Sequence, residues 1–340
     1  MTTRLPVILA GLCLVACGPE TVTVTPTPVP SNPPAVLLTV QVTPLTGVAS
    51  VGGGSLWIAN YAAGSVTRIE TATGRVTTIP IGNPLRMTAQ GCAPGSVHYA
   101  PMGSFNVRKC DLPSGLAVGF GSLWVTKNDA NQVLRIDLAT MRTIASIPAP
   151  TLVFNMAAGP TGVWLTDYEE DRILRIDPAT NLVALDRPLI HGPSGLAFSE
   201  EAAWIAKTRG QLVTRVDLRD DSVAAEISVG ARPLPVAVGE GGVWVKNEQD
   251  STVSRIDPQT NQVVATISVD PFYGRDGVDY LALADGFVWV GGLQLQGIDP
   301  RTNSVTRTLP LEGIALPAED GRHLWLLSIA GTVRLIDPLR

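Results

Sequence analysis

The side chains with the most varied chemistry in this chain follow its tryptophans at a fixed distance. The third residue after each of the seven tryptophans belongs to a mostly polar series: Asn60, Lys127, Asp167, Lys207, Asn247, Gly292 and Ser328. Such side chains around the mouth of a channel could bind a small polar or anionic ligand. They could equally form local turns at strand ends, because short polar side chains hydrogen-bond to nearby backbone groups. The sequence leaves both interpretations open.

Two loops interrupt the regular spacing of the tryptophans. Successive tryptophans are 67, 40, 40, 40, 45 and 36 residues apart, so the first interval holds an insertion at residues 82–113. The fifth interval holds a shorter loop, which contains Tyr273 and Arg275. We predict that both loops form walls of a ligand site, because binding residues are concentrated on loops held by a rigid scaffold. A plain surface loop is the alternative for the insertion.

The insertion contains two cysteines, Cys92 and Cys110. In an exported protein such a pair is most simply a disulfide that closes and stiffens the loop. A zinc site would need further ligands nearby, and His98 is the other strong candidate in the loop. We therefore predict a disulfide between the two cysteines.

Residues suited to catalysis are scarce. The chain has 3 histidines, of which His191 lies in a connection that could face a channel, together with His98 in the insertion. We find no nucleophile elbow, phosphate-binding loop or set of spaced metal ligands. We predict no catalytic residue, no metal and no cofactor, and we place His191 in the candidate ligand-binding set.

The first residues have the pattern of an export signal. Arg4 precedes an apolar run from Leu5 to Ala16, and the run ends in Leu-Val-Ala before Cys17. The run is too short to cross a bilayer and has the length of a signal-peptide core. Its end resembles the bacterial lipobox, which implies cleavage before Cys17 and lipidation of its thiol. We expect a lipoprotein signal peptide at residues 1–16, with an ordinary signal peptide or a buried strand as alternatives.

Residues 17–34 are rich in proline and threonine and have no hydrophobic period. Such a segment cannot bury enough apolar surface to offset its ordering entropy, so we predict an extended tether.

The whole chain has a net charge of −5 and no run of basic residues. This composition argues against nucleic-acid partners.

The tryptophans mark an internal repeat that predicts the fold. Each lies in a short apolar phrase, and in five copies an acidic residue follows 13 positions later, closing a triplet such as Arg135-Ile136-Asp137. A repeat of about 40 residues built from β-branched and aromatic segments is typical of a β-propeller blade. We predict an all-β protein whose residues 35–340 form one seven-bladed β-propeller with four antiparallel strands in each blade.

Two further features of the repeat look chemical but are better explained by structure. Segments such as Asp257-Pro258-Gln259-Thr260-Asn261 have the residues of a tight turn between third and fourth strands. The arginine of the triplet recurs at Arg68, Arg135, Arg175, Arg215, Arg255 and Arg334. We predict that these arginines serve packing between blades, since a residue repeated around a ring serves the blade.

The two ends of the chain predict how the ring closes. The last copy ends at Arg340 without a fourth strand, and an unassigned apolar segment, Ala35 to Val42, precedes the first complete blade. We predict that this N-terminal segment is the outermost strand of the final blade. Such closure removes a free joint in the ring.

The repeat resembles a known family. Gly-Gly-Val-Trp-Val-Lys-Asn at 241–247 and the segment from Val253 to Val269 are similar to the YVTN-type repeat of bacterial seven-bladed propellers, although tryptophan replaces the usual tyrosine. The resemblance implies an extracytoplasmic binding or scaffold protein. The blade layout also resembles that of virginiamycin B lyases, which implies histidines, a carboxylate and a metal ion on the channel face. Only His191 and His98 could lie there, and no motif matches.

We therefore expect a surface-anchored propeller that binds a small polar molecule, a glycan or a protein segment on its loop-rich channel face. The alternative is a metal-assisted lyase or hydrolase. We expect an exported monomer, attached to the bacterial cell envelope through lipidated Cys17.

Overall fold

The computed structural model describes residues 34–42, 48–60, 63–81, 115–127, 130–149, 153–271, 281–292, 294–311, 313–328 and 330–340. The predicted signal peptide and most of the tether lie outside these residues, as do the insertion, Cys17, Cys92, Cys110, Tyr273 and Arg275. The described residues form antiparallel sheets of four strands each. Among them, no helix is long and apolar enough to cross a membrane.

Seven such sheets follow one another along the chain, which confirms the predicted seven-bladed propeller. The strands in chain order are β1 Ala35–Gln41, β2 Ala49–Gly52, β3 Ser55–Asn60, β4 Ser65–Glu70, β5 Val76–Pro80, β6 Leu116–Gly119, β7 Ser122–Lys127, β8 Gln132–Asp137, β9 Thr143–Pro148, β10 Val153–Gly159, β11 Gly162–Asp167, β12 Arg172–Asp177, β13 Leu182–Pro188, β14 Pro193–Phe198, β15 Ala202–Lys207, β16 Leu212–Asp217, β17 Val223–Ser228, β18 Pro233–Gly239, β19 Gly242–Asn247, β20 Thr252–Asp257, β21 Gln262–Ser268, β22 Leu281–Ala284, β23 Phe287–Val290, β24 Leu295–Asp299, β25 Ser304–Leu309, β26 Ile314–Pro317, β27 Leu324–Leu327 and β28 Thr332–Asp337. Blade 1 comprises β2 to β5, and each later group of four strands is the next blade. Blade 7 comprises β26, β27, β28 and β1.

The second strand of each blade forms the core. All seven tryptophans lie on these strands and are fully buried, where they pack with the apolar residues of the neighbouring blade. Buried indole N–H groups need acceptors, and most of them find one at the turn before their strand. Trp244 Nε1, for example, donates to the Gly239 carbonyl at 3.0 Å. The tryptophans are therefore core residues that hold adjacent blades together.

Of the six repeated arginines, Arg135, Arg175, Arg215 and Arg255 donate hydrogen bonds to the following blade, as predicted. Five of them lie over the tryptophan of their own blade, with the guanidinium carbon of Arg255 4.9 Å from the Trp244 ring centroid. Arg255 Nη1 also donates to the Pro300 carbonyl and to Asn303 Oδ1 in the following blade, at 2.6 and 2.7 Å. The guanidinium donors of such arginines are therefore occupied by contacts between blades.

The turns between third and fourth strands also follow the prediction. Asp257 Oδ1 accepts a hydrogen bond from the Gln259 amide at 2.8 Å. Asn261 adopts a left-handed conformation with φ 58°, which asparagine tolerates better than most residues. The backbone hydrogen bond from Gln259 lowers the pKa of Asp257. The repeated aspartates are turn residues.

The N-terminal strand closes the ring as predicted. β1 pairs antiparallel with β28, from Ala35 opposite Asp337 to Gln41 opposite Thr332. Leu38 and Val40 pack onto the apolar cluster shared by blades 7 and 1. The first strand in the chain thus completes the last blade.

The antiparallel order gives the ring two different faces. The turn face contains the turns between strands 1 and 2 and between strands 3 and 4 of each blade. The loop face contains the turns between strands 2 and 3 and the connections between blades. At the axis, β14 approaches β18 so closely that a Cβ at Gly195 would lie 1.6 Å from the Leu234 carbonyl oxygen. This close approach requires a residue without a Cβ at position 195.

Candidate functional site

The predicted strand-end asparagines lie within their own blades. Asn247 is fully buried, and its Nδ2 donates to the hydroxyl oxygens of Thr252 and Ser254 at 3.0 and 2.8 Å. Asn60 Nδ2 makes the same kind of contact with the Thr67 hydroxyl at 2.8 Å. All of these hydroxyls belong to the third strand of the same blade, so both amides point away from the inner strand.

The charged members of the series have similar surroundings. Lys207 is buried, and its Nζ binds the Glu226 carboxylate on the outermost strand of blade 4. Asp167 is buried too, with its Oδ2 3.8 Å from Arg172 Nε at the start of the third strand.

Lys127 is partly exposed at the end of β7 in blade 2. The five residues lie in five different blades. Their role in ligand binding stays a prediction, as does that of Tyr273 and Arg275 outside the described residues.

The structure does assemble a different cluster on the loop face between blades 3 and 4. Asp171, in the turn after β11, accepts hydrogen bonds from the Gly192 amide at 2.6 Å and from Arg209 Nη2 at 2.7 Å. Arg209 lies in the turn after β15, and its Nη2 also donates to the Tyr168 carbonyl at 2.8 Å. One carboxylate and one guanidinium therefore tie two turns and one inter-blade connection together.

Tyr168 is the aromatic centre of this cluster. Its ring is packed against Gly192, where an added Cβ would lie 2.6 Å from a ring carbon, and the Arg209 guanidinium carbon lies 4.6 Å from the ring centroid. Phe154 of the inner strand β10 is 5.6 Å away, centroid to centroid. Only a residue without a side chain at position 192 allows the ring to lie there.

Tyr168 and Arg209 both have hydrogen-bond donors that no described residue uses. Within the described part of the chain, the Tyr168 hydroxyl makes no hydrogen bond although the residue as a whole is 9% exposed. Burial raises the pKa of the phenol, against an opposing effect of the nearby Arg209 charge, so the hydroxyl stays protonated and can donate. Arg209 has 41% of its side chain exposed, and its side-chain hydrogen bonds to described residues use only Nη2.

His191 borders this cluster, as its sequence position suggested. It is exposed on the connection between β13 and β14 and has a φ of 79°, which is costly for a residue with a Cβ. Its carbonyl accepts the Arg209 amide at 3.0 Å, and its Cβ packs where a side chain at Gly210 would lie. The turn that positions Arg209 therefore also holds His191 in this conformation.

The same face continues into blade 5 with another charged pair. Arg232 has a φ of 59° in the connection between β17 and β18, and its Nε lies 3.3 Å from Glu248 Oε2. The charge of Arg232 also acts on the Tyr168 phenol. The Tyr168 phenol is therefore close to both positive and negative side chains, including Arg209 and Arg232 from two neighbouring blades.

Sequence reasoning missed Tyr168, Asp171 and Arg209. It compared the third position after each tryptophan, whereas Tyr168 and Arg209 stand at the fourth and fifth positions. A search for positions at which the copies differ would have found Tyr168 and also Lys246, a buried lysine where two other copies have alanine.

His323, the other histidine that the structure describes, lies on the opposite face of the ring. His323 lies in the turn between β26 and β27 on the turn face, and its Nδ1 is 2.5 Å from Asp320 Oδ2. Among the residues that the structure describes, no group of three His, Cys, Asp or Glu side chains is arranged to hold a metal ion.

Solved structures with the same fold have little sequence in common with this chain. Virginiamycin B lyase from Staphylococcus aureus aligns with a TM-score of 0.66 at 16% identity, covering 88% of this chain and 98% of the lyase. A streptogramin B lyase gives a TM-score of 0.65 at 15% identity, covering 88% and 97%. Hydrazine synthase from Kuenenia stuttgartiensis gives 0.67 at 14% identity, with the same coverage. Likeness at this level of identity shows the fold alone.

No protein-family model matches the sequence, and no curated protein matches it.

Proposed function

We propose that this protein is an exported binding propeller that recognises a small polar ligand on the loop face of blades 3 to 5. One observation carries the proposal. The recurring arginines bind the next blade and the recurring aspartates form turns, whereas the non-repeated cluster of Tyr168, Asp171, His191 and Arg209 leaves hydrogen-bond donors of Tyr168 and Arg209 unused.

The chemistry of these donors indicates the kind of ligand. A protonated phenol and the outer N–H groups of a guanidinium both donate, so a matching ligand presents oxygen acceptors, such as a carboxylate or a sugar hydroxyl. Arg209 is held in place by the Tyr168 ring and the Asp171 carboxylate before a ligand arrives. Such preorganisation lowers the entropic cost of binding.

The experiment begins with a panel of sugar acids, dicarboxylates, amino acids and oligosaccharides, screened by thermal shift on the purified chain. A ligand that raises Tm is then titrated by calorimetry against Tyr168→Phe and Arg209→Gln. We expect Kd to rise about 10- to 100-fold, since a hydrogen bond to a charged group contributes about 1.5–3 kcal/mol.

Arg219→Gln is the matched control. Arg219 also pairs with an aspartate through a surface contact, but it lies on the turn face, so the affinity should not change. Equal affinities of wild type, Tyr168→Phe and Arg209→Gln would refute the assignment of this cluster.

The chain resembles YVTN-repeat propellers, and the lipobox and the proline-rich tether support attachment to the cell envelope through lipidated Cys17. Growth with radiolabelled palmitate tests this part. Label should appear in the wild-type chain and be absent from Cys17→Ser.

The second candidate is a metal-assisted lyase or hydrolase, which is favoured by the position of His191 beside Tyr168 and Arg209. Metal analysis and a His191→Asn comparison separate the two functions, because asparagine tolerates the positive φ of this position. A bound divalent metal in the wild type, together with turnover that is lost in His191→Asn, would replace binding with catalysis.

A further inference from the structure

Arg187 is a charged residue at a position that is apolar in other blades. It lies on β13, the outermost strand of blade 3, and pairs with Ile173 of β12. The equivalent positions of four other blades hold buried apolar residues, which are Ile147, Ile227, Ile267 and Leu309. An arginine at such a position needs a partner for its charge, because burying an unpaired charge is costly.

The Arg187 side chain faces blade 4. Ile173 belongs to the apolar cluster in which Trp164 of blade 3 packs with Ile205 and other residues of blade 4. Since directly opposed residues of two strands lie on the same face of a sheet, Arg187 also points towards blade 4. Its Nη1 donates to the carbonyl oxygen of Asp221, which lies in the turn between β16 and β17. Arg187 therefore lies in the interface between blades 3 and 4.

Two nitrogens of this guanidinium have no partner. Nε and Nη2 of Arg187 are buried and make no hydrogen bond with a described residue. These two nitrogens lie on the same edge of the planar guanidinium, and this edge can bind two oxygens of one carboxylate or phosphate at once. Buried donors without an acceptor are rare in folded proteins. The unpaired edge of Arg187 therefore has the geometry of an oxyanion receptor.

Two carboxylates beside Arg187 already have other partners. Asp221 Oδ2 accepts a hydrogen bond from Arg175 Nη2 at 2.6 Å. Asp186, which precedes Arg187 in the chain, has its Oδ2 3.3 Å from Arg172 Nη2. Each of these carboxylates is thus paired with a different arginine, and neither binds the unpaired edge of Arg187.

Asp221 contributes an acceptor to the same place. Its Oδ1 is buried and has no hydrogen-bond partner among the described residues. A ligand that accepts from Arg187 and donates one O–H to Asp221 satisfies both groups. Phosphate keeps a proton at neutral pH, whereas sulfate and chloride do not. The side chains of Arg175 and Asp221 are 17% and 21% exposed, so this place lies just below the surface of the protein.

We propose that the interface between blades 3 and 4 binds a small oxyanion that retains a proton, of which inorganic phosphate is the simplest. Two oxygens of the anion bind Nε and Nη2 of Arg187, and its hydroxyl donates to Asp221 Oδ1. The anion neutralises the arginine and joins the outermost strand of blade 3 to a turn of blade 4. Neither residue belongs to the loop-face cluster around Tyr168, so the proposal does not rest on the function proposed above.

The test measures the binding of inorganic phosphate to the purified full chain by calorimetry and by the change in Tm. Sulfate and chloride at the same ionic strength are the reference anions. Phosphate should bind the wild type at one site and raise its Tm. Sulfate should bind about tenfold more weakly, because it has no proton to donate to the buried Asp221 oxygen.

Substitutions of Arg187 separate its charge from its shape. Arg187→Ile introduces the residue of other blades, so this variant should fold and should not respond to phosphate. Arg187→Lys keeps the charge but lacks the two-nitrogen edge, and it should raise Kd about tenfold. Arg301→Gln is the matched control, because it removes one positive charge from an arginine that is 83% exposed and paired with Asp299 in blade 6. Its Kd should equal that of wild type.

Three outcomes would overturn the proposal. The first is an equal effect of phosphate on the wild type and Arg187→Ile, or no effect on either. The second is an unchanged preference for phosphate over sulfate in Asp221→Asn, a substitution that suits the positive φ of this turn residue. The third is a loss of the phosphate response in Arg209→Gln, which would place the anion in the loop-face cluster. Failure of this site and failure of the proposed function therefore give different results.

Discussion

Replacing Gly195 with alanine should be among the most damaging single-methyl changes in this protein. The new Cβ would lie 1.6 Å from the Leu234 carbonyl oxygen and 2.8 Å from its carbon, whereas real Cβ atoms essentially never come within 3.0 Å of another heavy atom. The obstacle is backbone, so a rotamer change cannot relieve it. Strands β14 and β18 must separate by about 1.4 Å, the difference between 3.0 and 1.6 Å.

The size of the effect follows from that separation. A gap of about 1 Å forfeits up to half of each dispersion contact, and overpacking of cores typically costs about 1–3 kcal/mol. Since the clash involves the backbones of two inner strands, we expect a loss at the upper end, about 3 kcal/mol. Urea unfolding followed by the fluorescence of the buried tryptophans measures it.

Gly292→Ala is the control, because the nearest atom to an added Cβ there is 3.7 Å away. It should change the free energy of unfolding by less than about 1 kcal/mol. If Gly195→Ala were as stable as Gly292→Ala, the close approach of β14 and β18 would be refuted.

Three further predictions concern packing and pH. Arg255→Ala loses two hydrogen bonds to the next blade and should lower the free energy of unfolding, measured in urea, by about 2–4 kcal/mol. Arg215→Ala loses one hydrogen bond, at 3.1 Å, and should lower it by less. Trp289→Phe should lower the free energy of unfolding by about 1 kcal/mol more than Trp325→Phe does. The reason is that the Trp289 indole donates a hydrogen bond at 3.1 Å, whereas the Trp325 indole has no acceptor among the described residues. Equal losses in the two variants would contradict this. Burial opposes ionisation of Asp320, but hydrogen bonds from backbone amides and a histidine outweigh it and lower its pKa to about 2. The contribution of this carboxylate to stability is complete above its ordinary pKa of 3.8 and is lost as pH falls through about 2, so Tm of Asp320→Asn should depend less on pH across that range than Tm of wild type.

Much of the architecture was predictable because it repeats. The tryptophan spacing predicted the blades, Asp257 to Asn261 predicted a tight turn, and the unassigned segment at Ala35 predicted the closing strand. The packing role of arginines such as Arg255 was predictable for the same reason. A local pattern that recurs seven times needs no knowledge of distant contacts.

The candidate site was only partly predictable. The sequence placed His191 in the connection between two blades, and it lies there, between β13 and β14. The direction of Lys207 was not predictable, because its partner Glu226 lies two strands away and occurs at no fixed offset in the repeat.

The sequence by itself determined the blades, their core and the closure of the ring, since these depend on periodic patterns within one blade. Only the tertiary structure decided that Tyr168 lies between Gly192 and Arg209, with Asp171 holding both. The physical reason is that this cluster forms where two blades meet, through a close backbone approach and a shared carboxylate. Neither of these contacts produces a periodic pattern in the sequence.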